Sequence, residues 1–411
     1  MTLPAQPPLP ARPGPARTSR RLLAQAQLAN SIGDGAYLVT SALYFARIVG
    51  LSATEIGFGL TLGWAVGTVA GVPLGHLADR RGPRGVAILL ALMTAVAVAS
   101  FLFVRSFALF TLVACLYGTA QTGLSAARQA LLAGLIEPDQ RTEVRAVLQS
   151  TLNGGLAVGA ALGGLALHFG TREAYLAVFA VDAVSFLAAA VLLQRLPAVA
   201  PVPAVAGPKL AVLRDRPYAV VTLINAVMLF YMPLLSLIVP LWIVQRTTAP
   251  TWLVSALLLV NTVSVLLFQV RLARRVRGLA DASRSVRHAG LVMLAACVVF
   301  AMSSIGSSAW LAGLILLAAA GLQVYGEMLL GAGSWEIGFA LAPADKQGQY
   351  QGFFGTGVAV ARMLGPVVLT TLVIGGGTLG WLLVGGVFVA AGAAMGPAVK
   401  WASRTPGVRT L

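Results

Sequence analysis

The sequence is dominated by long apolar segments, each long enough to cross a lipid bilayer. A span needs about 20 apolar residues to cross a hydrocarbon core of ~30 Å. This window predicts twelve spans, which cover approximately 22–48, 54–75, 86–104, 107–134, 146–168, 174–194, 217–245, 251–270, 288–306, 309–340, 350–375 and 379–399. Lipid offers no hydrogen-bond partners to the backbone, so each span is expected to be an α-helix. The chain is therefore predicted to be an all-α integral membrane protein.

Charge supports this class. Only 10% of the 411 residues are charged and 58% are hydrophobic, whereas a soluble domain carries about 25% charged residues. The net charge of +16 would suggest nucleic acid as a partner of a soluble protein. Here the basic residues cluster in the loops, which indicates membrane topology instead. We expect no nucleic-acid partner, and the lipid bilayer is the predicted environment.

The basic residues also predict the orientation. With the N-terminus inside, only Arg47, Arg105, Arg172 and Arg246 fall outside, and Arg362 lies within a span. All the other basic residues are then cytoplasmic, as the positive-inside rule requires. Both termini are predicted to be cytoplasmic. A composition rich in Ala, Gly and Arg favours the cell membrane of a bacterium.

Changes in composition divide the chain into five segments. The first apolar segment resembles a signal peptide, but it is too long and contains Asn30 and Asp34, so a retained span is expected. The predicted segments are a disordered cytoplasmic tail (1–20), a six-helix half (21–195), a proline-rich cytoplasmic linker (196–216), a second six-helix half (217–400) and a cytoplasmic tail (401–411).

An internal repeat relates the two halves. The loop after the second span begins at Gly75 and contains Leu77-Ala78-Asp79-Arg80, and the loop after the eighth span contains Leu272-Ala273-Arg274-Arg275. Likewise, Glu137-Pro138-Asp139 corresponds to Ala342-Pro343-Ala344. Two homologous halves in parallel orientation are typical of transporters that hold their substrate between the halves.

The first of these loops resembles the signature of the major facilitator superfamily, Gly-x-Leu-Ala-Asp-Arg-x-Gly-Arg-Lys. The positions that agree are Gly75, Leu77, Ala78, Asp79, Arg80, Gly82 and Arg84, with Pro83 as a departure. The resemblance implies twelve helices in the major facilitator fold. It also implies that Asp79 latches the two halves on the cytoplasmic side, where it docks at the start of the eleventh helix near Gln349. A solvated turn is the alternative.

Two further motifs bear on the branch of the family. Gly155, Gly159, Gly163 and Gly164 are similar to the glycine motif in helix five of drug/proton antiporters, with Ala160 in place of a proline. Close packing of any two helices is the alternative explanation. Members of this family carry an arginine in helix four, three residues before a glutamine. Here the glutamine is Gln121, and the arginine is absent. The nearest one, Arg128, is expected to pair with Asp79 or a lipid phosphate and to join the latch.

Charged residues inside the membrane are the site candidates, because burying a charge in lipid is costly. At 1.5 Å per residue, Asp34, Glu327 and Arg362 lie about 20 Å or more from the cytoplasmic edge. The resemblance places helices one, four, seven and ten around the site and makes Asp34 and Glu327 its acids. Glu327 and Arg362 are either a buried ion pair or independent site groups. Additional polar candidates for the proton or substrate site are Asn30, Gln121, Asn225 and Tyr231.

Two other acids have different expected roles. Glu336 lies nearer the cytoplasmic edge, where it either gates the inner mouth or extends to the membrane surface. Asp182 is on helix six, which is peripheral in the family, so a local hydrogen bond is expected there.

These observations predict a proton-coupled exporter of small amphipathic compounds that works by alternating access as a monomer. An uptake symporter or facilitator is the alternative, and a transporter-like sensor without flux is a remote one. The sequence has no nucleotide-binding loop, catalytic constellation or metal-ligand cluster. We therefore expect no enzymatic activity, no metal and no cofactor, with the proton gradient as the energy source.

Overall fold

Long helices account for nearly all of the chain. The computed structural model describes residues 15–201, 210–306 and 308–405, and these residues form no β-strand. Its helices are α1 (Pro15–Tyr44), α2 (Ala53–Arg81), α3 (Pro83–Phe101), α4 (Phe107–Leu135), α5 (Pro138–Phe169), α6 (Arg172–Gln194), α7 (Arg216–Arg246), α8 (Leu253–Ala273), α9 (Gly278–Met302), α10 (Ala309–Leu341), α11 (Gln347–Leu369) and α12 (Gly376–Arg404).

The helices agree with the twelve predicted spans. In the described ranges, ten helical stretches are long and apolar enough to cross a membrane. One of them, Gln347–Arg404, comprises α11 and α12, which are separated by a π-helical turn and by the non-helical backbone of Gly377 (φ +60°). The more polar α1 does not reach this hydropathy, but it packs inside the bundle against α5 and α6. The predicted fold class is confirmed.

Proline and glycine break the helices that carry cavity residues. In α7 a regular helix ends at Met228, and a 3₁₀ turn, a π turn at Leu234–Ile238 and a final helix follow. Pro233 lies at this break, where it cannot donate a backbone hydrogen bond and its ring clashes with the preceding turn. Pro366 in α11 likewise precedes a π-helical turn at Thr370–Gly375.

The two halves repeat the same helix packing. In the first half, α1 contacts α5 and α6, α2 contacts α4, and α3 contacts α4 and α6. Each of these pairs recurs six helices later: α7 with α11 and α12, α8 with α10, and α9 with α10 and α12. The contacts between halves are also paired, since α2 meets α11 and α5 meets α8. The internal repeat in the sequence is therefore a repeat of structure.

Several predicted boundaries are wrong, for one physical reason. Residues 15–20 are helical and belong to α1, α5 begins at Pro138 before its apolar stretch, and α12 continues to Arg404. A hydropathy window detects only the part of a helix that lies in lipid, whereas these polar ends continue the helix beyond it. The predicted disorder of residues 1–14 lies outside the described residues, as do 202–209 of the linker and 406–411 of the tail.

Glycines allow α1 and α5 to approach closely. A side chain at Gly159 would collide with the backbone of Ile32 and Ala36, and one at Gly155 would collide with Ser31. Gly163 also packs on the backbone of α1. The inclusion of Gly164 in this motif is wrong, because no atom lies within 4 Å of the position its Cβ would occupy.

We expect Gly159→Ala to destabilise the protein, because the added methyl group must push two helix backbones apart. Overpacking of this kind costs about 1–3 kcal/mol. Thermal unfolding of the detergent-solubilised protein should show a lower midpoint than for the wild type. The matched control is Gly164→Ala, which should unfold like the wild type. Equal midpoints for the two variants would contradict the α1–α5 packing described above.

Candidate functional site

A cavity of about 1010 Å³ lies between the two halves. It is lined by residues of both halves, including those of α1, α2, α4 and α5 on one side and α7, α8, α10 and α11 on the other. Its lining extends to Leu38, Ser41 and Thr61 towards one end of the bundle and to Leu23 and Leu193 towards the other. The other end carries both described termini and most of the basic loops, and we call it the basic end.

Asp34 occupies the wall of this cavity. Its Oδ1 accepts a hydrogen bond of 3.2 Å from Nε2 of Gln121 on α4, and the same amide lies 3.0 Å from the hydroxyl of Tyr117. Asp34, Gln121 and Tyr117 all line the cavity. The structure thus brings together two of the polar residues singled out in the sequence, and it adds a tyrosine that had no sequence signal beyond its helical spacing from Gln121.

The expected role of Arg128 in the latch is wrong. Arg128 lines the central cavity on the Asp34 side, and its charge acts on that carboxylate. It lies seven residues after Gln121, which is about two helical turns, and therefore on the same face of α4. The sequence-based expectation considered only the depth of Arg128 in the span and not the helical face that it shares with Gln121. Nε and Nη2 of Arg128 are shielded from solvent and have no hydrogen-bond partner.

Glu327 and Arg362 are both in the cavity, but they belong to different contacts. Oε2 of Glu327 accepts a hydrogen bond of 2.8 Å from Nδ2 of Asn261. The Arg362 guanidinium lies over the ring of Trp64, 5.6 Å from its centroid. Glu327 and Arg362 do not form an ion pair with each other in the described structure. They are therefore independent groups of the cavity, one on α10 and the other on α11.

Among the other candidates, Tyr231 lines the cavity and two asparagines do not. Asn225 is buried between helices, where its Oδ1 accepts a hydrogen bond of 2.7 Å from Ser334. Asn30 is buried as well, one helical turn from Asp34 on the same face of α1, and its Oδ1 has no hydrogen-bond partner. The expectation that Asn225 belongs to the substrate site is therefore wrong, because its side chain bonds between helices and does not line the cavity.

Asp182 is buried against α1. A side chain at Gly33 would collide with its Oδ1 and with Ser185, so α6 packs directly behind Asp34. Ser185 donates to the Asp182 backbone carbonyl over 2.7 Å. Oδ2 of Asp182 has no partner. A local hydrogen bond was expected at this acid, and Ser185 also donates one to its Oδ1 over 3.4 Å.

At the basic end, Asp79 joins the two halves. Its Oδ1 accepts from the backbone N–H of Gly348 over 2.6 Å, and its Oδ2 accepts from that of Gln349 over 3.0 Å. These N–H groups begin α11, where the helix dipole also favours an anion. Gly75 and Gly348 contact each other backbone to backbone, which brings α2 close enough for these hydrogen bonds.

Other residues of the signature loop shape the turn itself. Gly82 has a φ of +90°, a backbone conformation that side chains disfavour. Nη1 of Arg84 donates to the carbonyl of Leu196 over 2.7 Å and so ties the loop to the segment after α6. Arg80 contributes to the electrostatic environment of Asp79.

The second copy of the loop makes the corresponding contact with opposite charge. Arg274 occupies the position that Asp79 holds in the first copy. Its guanidinium lies 2.9 Å from the carboxylate of Glu143 on α5, and Glu143 also pairs with Arg20 of α1 at 3.1 Å. Arg274 and Glu143 belong to different halves. The internal repeat therefore produces two contacts between the halves, α2 with α11 and α8 with α5.

Two further contacts close the basic end. Thr142 on α5 donates over 2.6 Å to Oε2 of Glu336 on α10, which places Glu336 between the halves instead of at the membrane surface. Arg145 lies over the ring of Trp335, 5.1 Å from its centroid. Glu143, Thr142 and Trp335 were not identified from the sequence, because a single polar or aromatic residue near a helix end has no distinctive pattern.

A glycine repeat in α2 was also missed, although its spacing is visible in the sequence. Gly59, Gly63, Gly67, Gly71 and Gly75 recur every four residues and lie on one face of the helix. The first three pack on α4, Gly71 packs on Thr122 of α4 and on Gly352 of α11, and Gly75 packs on Gly348 of α11. The same face of α2 thus contacts its own half and then the other half.

A sequence profile described as Major Facilitator Superfamily matches residues 23–366. This range covers most of the chain, so the protein belongs to the Major Facilitator Superfamily. It is accordingly a multi-pass membrane transporter and not an enzyme. No match was found among the curated proteins.

Solved structures of transporters share the fold. The human organic anion transporter MFSD10 (TETRAN) has a TM-score of 0.71 and 18% identity over 93% of this chain and 100% of its own. A bacterial homologue of the iron transporter ferroportin, in its outward-facing state, has a TM-score of 0.74 and 16% identity over 94% and 99%. The E. coli fucose:proton symporter FucP has a TM-score of 0.68 and 12% identity over 94% of this chain and 99% of its own. At these identities the likeness extends to the fold alone.

We expect Asp79→Asn to open the basic end. An asparagine accepts only one of the two N–H groups at the start of α11 and turns its own amide donor towards the other. A hydrogen bond to a charged group contributes about 1.5–3 kcal/mol. Distances between spin labels at Gln140→Cys and Arg275→Cys, in a background without Cys115 and Cys297, should shift towards longer values.

Asp281→Asn is the control for this measurement, because Asp281 pairs with Arg284 within α9 and does not bridge the halves. Its distance distribution should match that of the wild type. An unchanged distribution in Asp79→Asn would show that the α2–α11 contact does not hold the basic end closed.

Proposed function

We propose that the protein carries a small amphipathic compound through the central cavity by alternating access and couples this movement to protons at Asp34 and Glu327. The observation that carries the proposal is the position of these two carboxylates. They line one cavity from opposite halves, each with an amide side chain as a neutral hydrogen-bond donor. A carboxylate whose partner is neutral can take up and release a proton without breaking an ion pair.

In this proposal, the contacts between the halves at the basic end are the ones that break and re-form during alternating access. With the basic end on the cytoplasmic side, these contacts join the two halves on the inner side of the cavity. The Asp79 contact, the Glu143–Arg274 pair and the Thr142–Glu336 hydrogen bond would separate when the cavity opens inwards. All are small polar contacts that water can replace, so the two states can lie close in free energy.

Export in exchange for protons is the first candidate direction. Its support is the close α1–α5 packing through Gly155, Gly159 and Gly163, which is similar to the glycine motif of drug/proton antiporters. In this mechanism the substrate and the proton compete for the acids of the cavity.

Co-transport with protons is the second candidate, and the charge of the cavity favours it. Three arginines and two acids line the described cavity, so an ionised site retains a positive charge. An anionic substrate and a proton would then bind together and move in the same direction.

The pH inside reconstituted vesicles distinguishes the two directions. Lipophilic cations, neutral drugs and organic anions are added outside in turn, without a pre-existing pH gradient. Exchange makes the interior more alkaline as the compound enters, whereas co-transport makes it more acidic. Asp34→Asn should reduce either change, and adding Glu327→Gln should abolish it, because an amide cannot carry the proton.

Glu173→Gln, which removes an exposed carboxylate at the opposite end of the bundle, is the control and should behave like the wild type. A compound that enters through the protein without any pH change in the wild type would contradict proton coupling. A pH change that persists in the variant that combines Asp34→Asn and Glu327→Gln would move the proton site to another residue.

A further inference from the structure

The charged residues of the central cavity are unbalanced. In the described part of the chain, the charged side chains that line it are Asp34, Glu327, Arg128, Arg145 and Arg362. Three positive and two negative charges leave the site with +1 when both acids are ionised, and with +3 when both are protonated. Charged groups at this depth are expensive, so they are kept for substrates or for one another.

None of the three arginines forms an ion pair with an acid of the cavity. The ion pairs of the described residues join Arg20 and Arg274 to Glu143, and Arg284 to Asp281. The acids of the cavity accept hydrogen bonds from Gln121 and Asn261 instead. The positive charge of the arginines is therefore not neutralised by a direct contact.

The three arginines differ in how much of their bonding capacity is used. Arg145 belongs to the closed basic end, where it contacts Trp335 and approaches Gln149. Arg362 has one face on Trp64, which leaves the N–H groups at its edge available. Arg128 has two nitrogens, Nε and Nη2, that are both shielded from water and without a partner.

An unsatisfied guanidinium of this kind indicates a missing acceptor. A shielded donor without a partner loses its hydrogen bonds to water and gains nothing in return. Carboxylates, phosphates and sulfonates satisfy a guanidinium best, because two of their oxygens match two of its N–H groups. Arg128 therefore has the geometry of a side chain whose partner is a ligand.

We propose that the cavity binds an amphipathic organic anion, with its acidic group on Arg128 and Arg362 and its apolar body against the neighbouring wall. This inference rests on the proposed function and names its substrate class. Asp34, Arg128 and Arg362 all line this cavity, and the charges of both arginines act on Asp34. The apolar part of the wall includes Leu38, Leu60, Trp64, Leu235 and Leu258.

Asp34 connects this anion site to protons. An ionised Asp34 repels an incoming anion and competes for the arginines, whereas a protonated Asp34 does neither. The other titratable or charged groups around it are Tyr37 on its own helix, Tyr117 and Arg128 on α4, Asp182 on α6 and Arg362 on α11. By linkage, the anion binds more tightly when the proton is bound, and the proton binds more tightly in the presence of the anion.

The test compares three probes that share one apolar body: naphthalene-2-carboxylate, naphthalene-2-carboxamide and 2-naphthylmethylammonium. Their binding to the full-length protein in nanodiscs is measured at pH 6. We expect the carboxylate to bind at least about tenfold more tightly than either of the other probes, as expected for a charged hydrogen bond. Its affinity should fall as the pH rises to 8.

Variants assign the site. Arg128→Gln should weaken binding of the carboxylate by about tenfold or more, with little effect on the carboxamide, and Arg128→Lys should restore part of it. Arg362→Gln tests the site separately in case Arg128→Gln does not fold. Arg172→Gln, an exposed arginine at the opposite end, is the matched control and should bind like the wild type. In Asp34→Asn the affinity should depend less on pH than in the wild type.

Three results would overturn the anion site. The first is equal affinity for all three probes, which includes no binding of any of them. The second is tightest binding of the ammonium probe. The third is full affinity for the carboxylate in both Arg128→Gln and Arg362→Gln. Failure of the proposed function gives a different result, because the carboxylate would bind as described but no compound would change the pH inside vesicles. If only cations cause proton movement, the proposed proton-coupled transport stands and the proposed anionic substrate is wrong.

Discussion

The backbone contact between α2 and α11 at the basic end positions much of what surrounds it. Gly75 and Gly348 meet without side chains, so the carboxylate of Asp79 reaches the two free N–H groups that begin α11. In lipid, apolar surface alone gives helices little reason to associate, because the lipid tails are equally apolar. Close backbone approach and a charged hydrogen bond therefore join the halves here, and the cavity forms where the same helices diverge.

The repeat gives this joint a counterpart. The contact of α2 with α11 recurs as the contact of α8 with α5, and Arg274 takes the position of Asp79. The two contacts differ in strength for a physical reason. Asp79 is 7% exposed and bonds to fixed backbone groups, whereas the Arg274 side chain is 59% exposed in its pair with Glu143. Exposed ion pairs contribute about 0–1 kcal/mol. The Asp79 contact therefore contributes more than the Arg274–Glu143 pair to holding the two halves together at the basic end.

The cavity combines acids with neutral partners and arginines without acidic ones. A paired arrangement would hold the charges in place and leave little affinity for a ligand. Here Asp34 and Glu327 are bonded to amides, and Arg128 and Arg362 keep donors available, so protonation and ligand binding both change the balance of charge. Both features meet on α4, where Gln121 is the neutral partner of Asp34 and Arg128 is an arginine without an acidic partner. The two residues lie on one helical face, two turns apart.

The sequence by itself determined the membrane class, the number of helices and the repeat, because lipid thickness and hydropathy fix the length and type of each span. It also identified Asp34, Glu327 and Arg362, since a charge in a long apolar segment stands out whatever its surroundings. Only the tertiary structure decided which of these residues meet. It moved Arg128 from the latch to the cavity, removed Asn225 from the site, and separated Glu327 from Arg362. Sequence position gives the depth of a residue in the membrane, but the helical face and the partner depend on how the other helices pack around it.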